Sequence, residues 1–169
     1  LLSRRQRQMC IRDSRWRDSI CHAPVIMRIG KGGAHVDNAH AGGVFIAIDD
    51  DGTMHDKAFT EFNDVFYKHP NTHVVFAAQK IVLLPKVIEK ALNMHCAIPQ
   101  VGVINWDFTI DKEGNPVLIE ANINGGSVWL FEMAHGVGAF GDKTADILKW
   151  LNKMNKISPN QRMKHLYGN

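Results

Sequence analysis

Residues 105–126 read NWDFTIDKEGNPVLIEANINGG, and the layout of this stretch sets the fold. Two largely apolar runs flank DKEGN, where Asp, Gly and Asn supply turn chemistry. The pattern predicts a β-hairpin. Side chains alternate between faces along a strand. Ile104, Trp106, Phe108 and Ile110 therefore share one face, and Asn105, Asp107 and Thr109 share the other. In the second strand Val117, Ile119 and Ala121 oppose Leu118, Glu120 and Asn122. A turn with Glu113-Gly114 at its tip pairs Asp107 with Glu120 and Asn105 with Asn122. A bulge would change that register.

On this register two carboxylates face each other with β-carbons about 5 Å apart. Opposed like charges destabilise a sheet and favour protonation of one of the pair. A divalent cation removes the conflict. Oxygen ligands from Asp, Glu and Asn suit Mg²⁺ or Mn²⁺, commonly held by one or two carboxylates together with substrate phosphates. The alternative is a solvated face whose acids meet by accident. Apolar neighbours place this end of the hairpin away from open solvent. ANINGG also runs into a Gly-Gly loop, where backbone can approach a ligand.

Outward from the hairpin, VIMRI (residues 25–29) predicts a strand carrying Arg28, followed by the Gly-rich loop GKGGAHVDNAHAGG. Val44 to Ile48 predicts another strand, with a turn at Asp50-Asp51-Gly52 leading into a further one. Pro70 and Asn71 mark a loop, and His73 to Ala77 a short strand. IVLLPKVIEKALNMHCAIP predicts a helix with Pro85 in its first turn and Leu84, Val87, Ile88, Ala91, Leu92 and His95 on its buried side. SVWLFEMAHG predicts a short helix ended by Gly136. GDKTADILKWLNKMNK predicts another, with Asp142 as N-cap and Ile147, Leu148, Leu151 and Met154 as its buried stripe. The tail, residues 158–169, reads as loose.

The 169 residues suffice for one domain, and 45% hydrophobic with 22% charged residues is an ordinary globular balance. The longest apolar runs, such as Ile81 to Pro85, are too short to span a bilayer. Residues 1–18 hold six arginines against two aspartates, a surplus of four positive charges; with +3 overall, the remaining chain carries −1. The basic head lacks apolar periodicity, and its run RRQRQMCIRDS resembles translated sequencing-adapter sequence. The reading therefore sets residues 1–18 outside the fold as a non-native or disordered head, with a truncated chain behind it. Nucleic acid is accordingly not the expected partner. Three cysteines without a CxxC pair point to a reducing, cytoplasmic setting.

The pattern WDFTI–DKEGNP–VLIEANINGG resembles the ATP-grasp fold, in which an acid on one strand and Glu-x-Asn on the next hold the magnesium ions that bridge ATP phosphates. Asp107, Glu120 and Asn122 match those positions. MRIGKGGAHVDNAHAGG is similar to the alpha-L-glutamate ligase-related, sugar-transfer-associated branch, with Arg28, Asn38, Gly42 and Gly43 at the matching places. The resemblance covers roughly Val25 to Trp150. It implies an α+β architecture: the C-terminal part of an ATP-grasp fold over residues 19–157, an antiparallel sheet with helices on one side. It also implies an ATP- and Mg²⁺-dependent ligase that forms an acyl phosphate for attack by an amine or thiol, linked to polysaccharide synthesis. Its partners would be ATP and a small carboxylate-bearing substrate.

In these terms Asp107, Glu120 and Asn122 hold the metal. Arg28 is either the phosphate cation or the ion-pair partner of a core acid. Asn38 orders the Gly-rich loop, touches substrate or forms a plain turn. Gly125 and Gly126 offer backbone N–H groups to the substrate. Two departures stand out. Asn105 occupies the place, two before the first metal acid, where many ATP-grasp enzymes carry a basic residue, so Arg28 has to serve alone. No phosphate-clamping lysine or adenine hinge precedes Val25, so the chain alone is expected to be inactive. The competing expectation is a non-catalytic ATP-grasp remnant acting as a binding module.

Overall fold

The computed structural model describes residues 7–16, 19–30, 42–124 and 128–167. Eight strands form one antiparallel sheet: β1 (Arg7–Trp16), β2 (Ser19–His22), β3 (Val25–Ile29), β4 (Val44–Ile48), β5 (Met54–Phe59), β6 (Val65–Phe66), β7 (Val103–Ile110) and β8 (Pro116–Asn122). Their spatial order is β6-β5-β4-β3-β1-β7-β8, with β2 pairing β1 beside β3. The helices are α1 (Leu84–Cys96), α2 (Trp129–His135), α3 (Thr144–Asn155) and α4 (Pro159–Tyr167).

Residues 7–16 are not outside the fold. They form β1, an interior strand hydrogen-bonded to β3 on one side and β7 on the other. The sequence reading missed it because its faces mix apolar and polar residues. Met9 and Ile11 enter the core of one face, and Cys10 enters the core of the other. The polar residues between them find partners on distant strands. β2 and β3 lie end to end along β1, separated at Ala23-Pro24, where proline has no N–H for the ladder.

The α+β class and the antiparallel sheet stand as expected, and the helices divide between the two faces. α1 buries Leu84, Val87, Ile88, Ala91 and His95 against Val25, Met27, Ile46, Trp106 and Phe108. On the opposite face α2 sets Phe131 and Ala134 on Cys10, Ile26, Phe45 and Ala47. β4 is apolar at every position because both of its faces are covered. α1 carries Pro85 in its first turn, and α2 ends at Gly136 in the left-handed region with φ 70°.

Other expectations change. α3 starts at Thr144 after a short 3-10 turn, and Asp142 makes no side-chain cap. Of its expected stripe only Met154 is buried, while Leu148 and Leu151 are exposed. The tail forms α4 instead of loose chain. Residues 73–77 form only a single bridge, Val75 to Lys68.

Behind the sheet lies a buried polar knot. Trp106 Nε1–H donates to Asp13 Oδ2 at 2.8 Å, and His95 Nδ1 lies 3.9 Å from the same oxygen. His95 Nε2–H donates to the Val101 carbonyl at 2.8 Å. Burial pushes the Asp13 carboxyl up to about 6, although the Trp106 bond favours the anion. A raised acid stabilises the fold fully below its unfolded value of 3.8 and loses that contribution as pH rises through about 6. Burial lowers the pKa of His95, so its contribution runs the other way and fades as pH falls below 6.5. Asp13→Asn keeps an acceptor for Trp106 and removes the charge. Its stability relative to the parent chain is expected to improve by about 2 kcal/mol between pH 4 and pH 8, read from denaturant melts. A difference that stays constant across that range would show that the Asp13 proton is not linked to folding.

Candidate functional site

The β7–β8 hairpin sets the site. Asp107 pairs with Glu120, Trp106 with Ala121 and Asn105 with Asn122, as expected. The route to that register differs from the expected one. Asp111 to Asn115 form the loop, tied by Asn115 N–H to Asp111 Oδ1 at 2.7 Å and Gly114 N–H to the Asp111 carbonyl at 3.2 Å. Ile110 therefore faces Pro116, and Phe108 faces Leu118, one residue out of the expected register. A bulge at Ile119 inserts the extra residue and restores it at Glu120. Before the bulge the faces of β8 are exchanged: Leu118 lies with Phe108 and Val117 with Thr109.

Burial across the site is uneven. Asp107 is buried, whereas β8 is the sheet edge and Glu120 stands exposed. The expectation that both strands lie away from solvent holds for β7 only. Among the described residues, no group of three or more His, Cys, Asp or Glu side chains could hold a metal ion. The hairpin offers two carboxylates and an amide. That hard-oxygen set fits Mg²⁺ or Mn²⁺ if phosphates or water complete the shell.

Arg28 reaches this acid pair from β3. Its Nη2 donates to Asp107 Oδ2 at 2.8 Å and also to Gln8 Oε1 on β1. Both ion-paired side chains are mostly buried, at 16% and 10% exposure. Of the two readings of Arg28, the ion pair with a core acid is the one formed, and the acid is the expected metal ligand itself. The guanidinium offsets Asp107 and leaves Glu120 as the less compensated charge.

Arg12 was missed, because it falls in the set-aside head. It faces Asn105 across the β1–β7 ladder, donates from Nε to Asn105 Oδ1, and lies 4.8 Å from the centre of the Phe131 ring. Burial lowers its pKa, with Glu132 acting against that shift. A guanidinium nonetheless remains charged at physiological pH. Asn105 is thus not a basic position, but it has a basic neighbour, and Arg28 is not the sole cation. Beside Asn105 and Asn122 opens a cavity of about 260 Å³. Asn38, Gly125 and Gly126 lie outside the described residues.

A family model described as sugar-transfer associated ATP-grasp matches residues 10–147, well over half of the chain. The match takes in most of β1, the hairpin and both helices that cover the sheet. No curated protein matches the chain. Among the described residues no helix is long and apolar enough to cross a membrane.

Proposed function

The chain belongs to the sugar-transfer associated ATP-grasp family, and from that premise we propose that it is an ATP- and Mg²⁺-dependent ligase-like enzyme. It would join a carboxylate to an amine or thiol, in a pathway that builds polysaccharide. The observation that carries this reading is the Asp107–Glu120 pair, opposed on neighbouring strands with the Asn122 amide on the same face.

In this reading Asp107, Glu120 and Asn122 hold Mg²⁺, which when bound neutralises charge on the transferring phosphoryl group. The chain's own groups do the rest. Arg28 fixes the Asp107 carboxylate in place and keeps positive charge beside it. Arg12, itself buried, holds a second positive charge next to the amide pair. Asn122, being neutral, adds an oxygen without adding to the negative charge of the acids.

The test is trapping with hydroxylamine. Incubation of the complete protein with ATP, Mg²⁺ and a carboxylic acid is expected to give ADP and the acid's hydroxamate, because hydroxylamine intercepts an acyl phosphate. AMP and pyrophosphate as products would replace the acyl-phosphate route with adenylation. Absence of nucleotide turnover together with absence of Mg²⁺-ATP binding would make the protein a non-catalytic ATP-grasp module.

A further inference from the structure

Another cavity, of about 170 Å³, opens on the opposite face of the sheet from the acid pair. Its floor is apolar: Met27 and Ile29 of β3, Met54 of β5, and Phe76 and Ile81 from the segment that leads into α1. Met27, Ile29, Met54 and Phe76 belong to the core that α1 covers, whereas Arg28, between the first two, faces Phe45 in the core on the other side. The mouth carries Thr72, Val74, Gln79 and Lys80, all exposed.

The wall of this cavity is held in a fixed shape. His69 is buried, donates from Nε2–H to the Gly30 carbonyl at 3.2 Å, and accepts at Nδ1 from the Thr72 N–H at 3.2 Å and the Thr72 hydroxyl at 3.1 Å. Met54 N–H donates to the Gln79 carbonyl at 3.0 Å and ties the other end of the wall to β5. Between these ties His73 and Ala78 sit in the left-handed region, with φ 56° and 67°. Side chains with a Cβ adopt that conformation at a cost in strain, which the surrounding bonds must hold.

We infer that this cavity is a binding site for a small, uncharged aromatic molecule with one hydrogen-bonding group. The inference does not rest on the ligase reading. An apolar cavity of about 150 Å³ accepts benzene, so the space here suits a single substituted ring. Two thioethers and a phenyl ring line it, and sulfur and aromatic groups both make favourable contacts with an aromatic ring. The Gln79 amide and the Thr72 hydroxyl place hydrogen-bonding groups at the mouth, where the polar end of the ring would lie. A charged group would gain little. Lys80, the cation among the lining residues, lies 2.7 Å from Asp51 Oδ2 and is already balanced, and both nitrogens of His69 are in use. An ion would lose hydration without a new partner.

The experiment adds p-cresol to the metal-free protein and follows the methyl signals of the seven methionines of the chain. Met27 and Met54 are expected to move, and Met133, Met154 and Met163 to stay in place. p-Toluate, which carries a carboxylate where p-cresol carries a hydroxyl, is expected to bind about tenfold more weakly. Saturating Mg²⁺-ATP is expected to leave the p-cresol affinity unchanged, because the acid pair lies on the other face. Val74 is 49% exposed, so Val74→Trp fills the mouth without entering the core, and it is expected to weaken p-cresol about tenfold. Gln79→Leu, also at an exposed position, is expected to weaken it about fivefold through the lost hydrogen bond. Unmoved Met27 and Met54, movement spread over all seven methionines, equal or tighter binding of p-toluate, displacement by Mg²⁺-ATP, or unchanged affinity in either variant would overturn the proposal.

Discussion

Replacing Glu120 with Gln in the complete protein is expected to lower ATP turnover about 10²–10³-fold without loss of folded structure. Glu120 stands exposed on the edge strand, so its substitution leaves no hole in the core. It also relieves the opposition of like charges across β7 and β8, worth a few tenths of a kcal/mol in the metal-free chain. A variant slightly more stable than its parent yet nearly inactive is the signature of a carboxylate kept for its ligand. Asp107→Asn separates the two roles of its residue. It should match Glu120→Gln in turnover, but it also costs about 2 kcal/mol, because Arg28 keeps its mostly buried charge and loses its 2.8 Å partner. Turnover within a few-fold of the parent in both variants, under saturating Mg²⁺, would remove these acids from the chemistry.

The largest effect on stability is expected at Gly52. It sits at φ +91° in the Asp50-Asp51-Gly52 turn, and a Cβ there would lie 2.2 Å from the Ile81 carbonyl oxygen. That approach cannot be relieved cheaply. Ile81 N–H donates to the Gly52 carbonyl at 2.8 Å, and the Ile81 carbonyl accepts Leu84 N–H at 2.9 Å at the start of α1. Moving Ile81 therefore disturbs the helix that covers one face of the sheet. Gly52→Ala combines backbone strain with the loss of at least one buried bond, about 3 kcal/mol or more, equivalent to a fall of roughly 10 °C in Tm. Gly136→Ala is the control. Gly136 has φ +70° but nothing within 4 Å of the added carbon, so only the left-handed penalty remains, about 1 kcal/mol. Equal losses in the two variants would show that the approach to Ile81 does not matter.

What could be read from the sequence follows physical lines. The hairpin, β4, α1 and α2 were legible because one period dominates each: alternation in VINWDFTI, three-to-four spacing from Leu84 to His95, and a glycine stop at Gly136. The pairing of Asp107 with Glu120 was also legible, although by two cancelling errors. The loop sets the pairing one residue out of the expected register, and the bulge at Ile119 returns the residue. Turn chemistry predicts that a turn exists, but an exposed edge strand gives no apolar pattern to reveal a bulge.

β1 was not legible. Gln8, Arg12 and Asp13 bond to Arg28, Asn105 and Trp106, residues 20 to 93 positions away, and no local period records such partners. The loss carried into the site, because Arg12 supplies the cation that the Asn105 position lacks. Leu148 and Leu151 erred in the opposite direction. Their helical spacing signals an apolar stripe, but spacing alone does not say that anything covers it.

The most direct measurement replaces Mg²⁺ by Mn²⁺ in the presence of ATP and follows paramagnetic broadening of assigned amide signals. Signals of Asp107, Glu120 and Asn122 should broaden before those of the rest of the sheet, and Glu120→Gln should abolish the effect. Broadening centred on another part of the chain, or none at saturating ATP, would contradict a metal-holding hairpin.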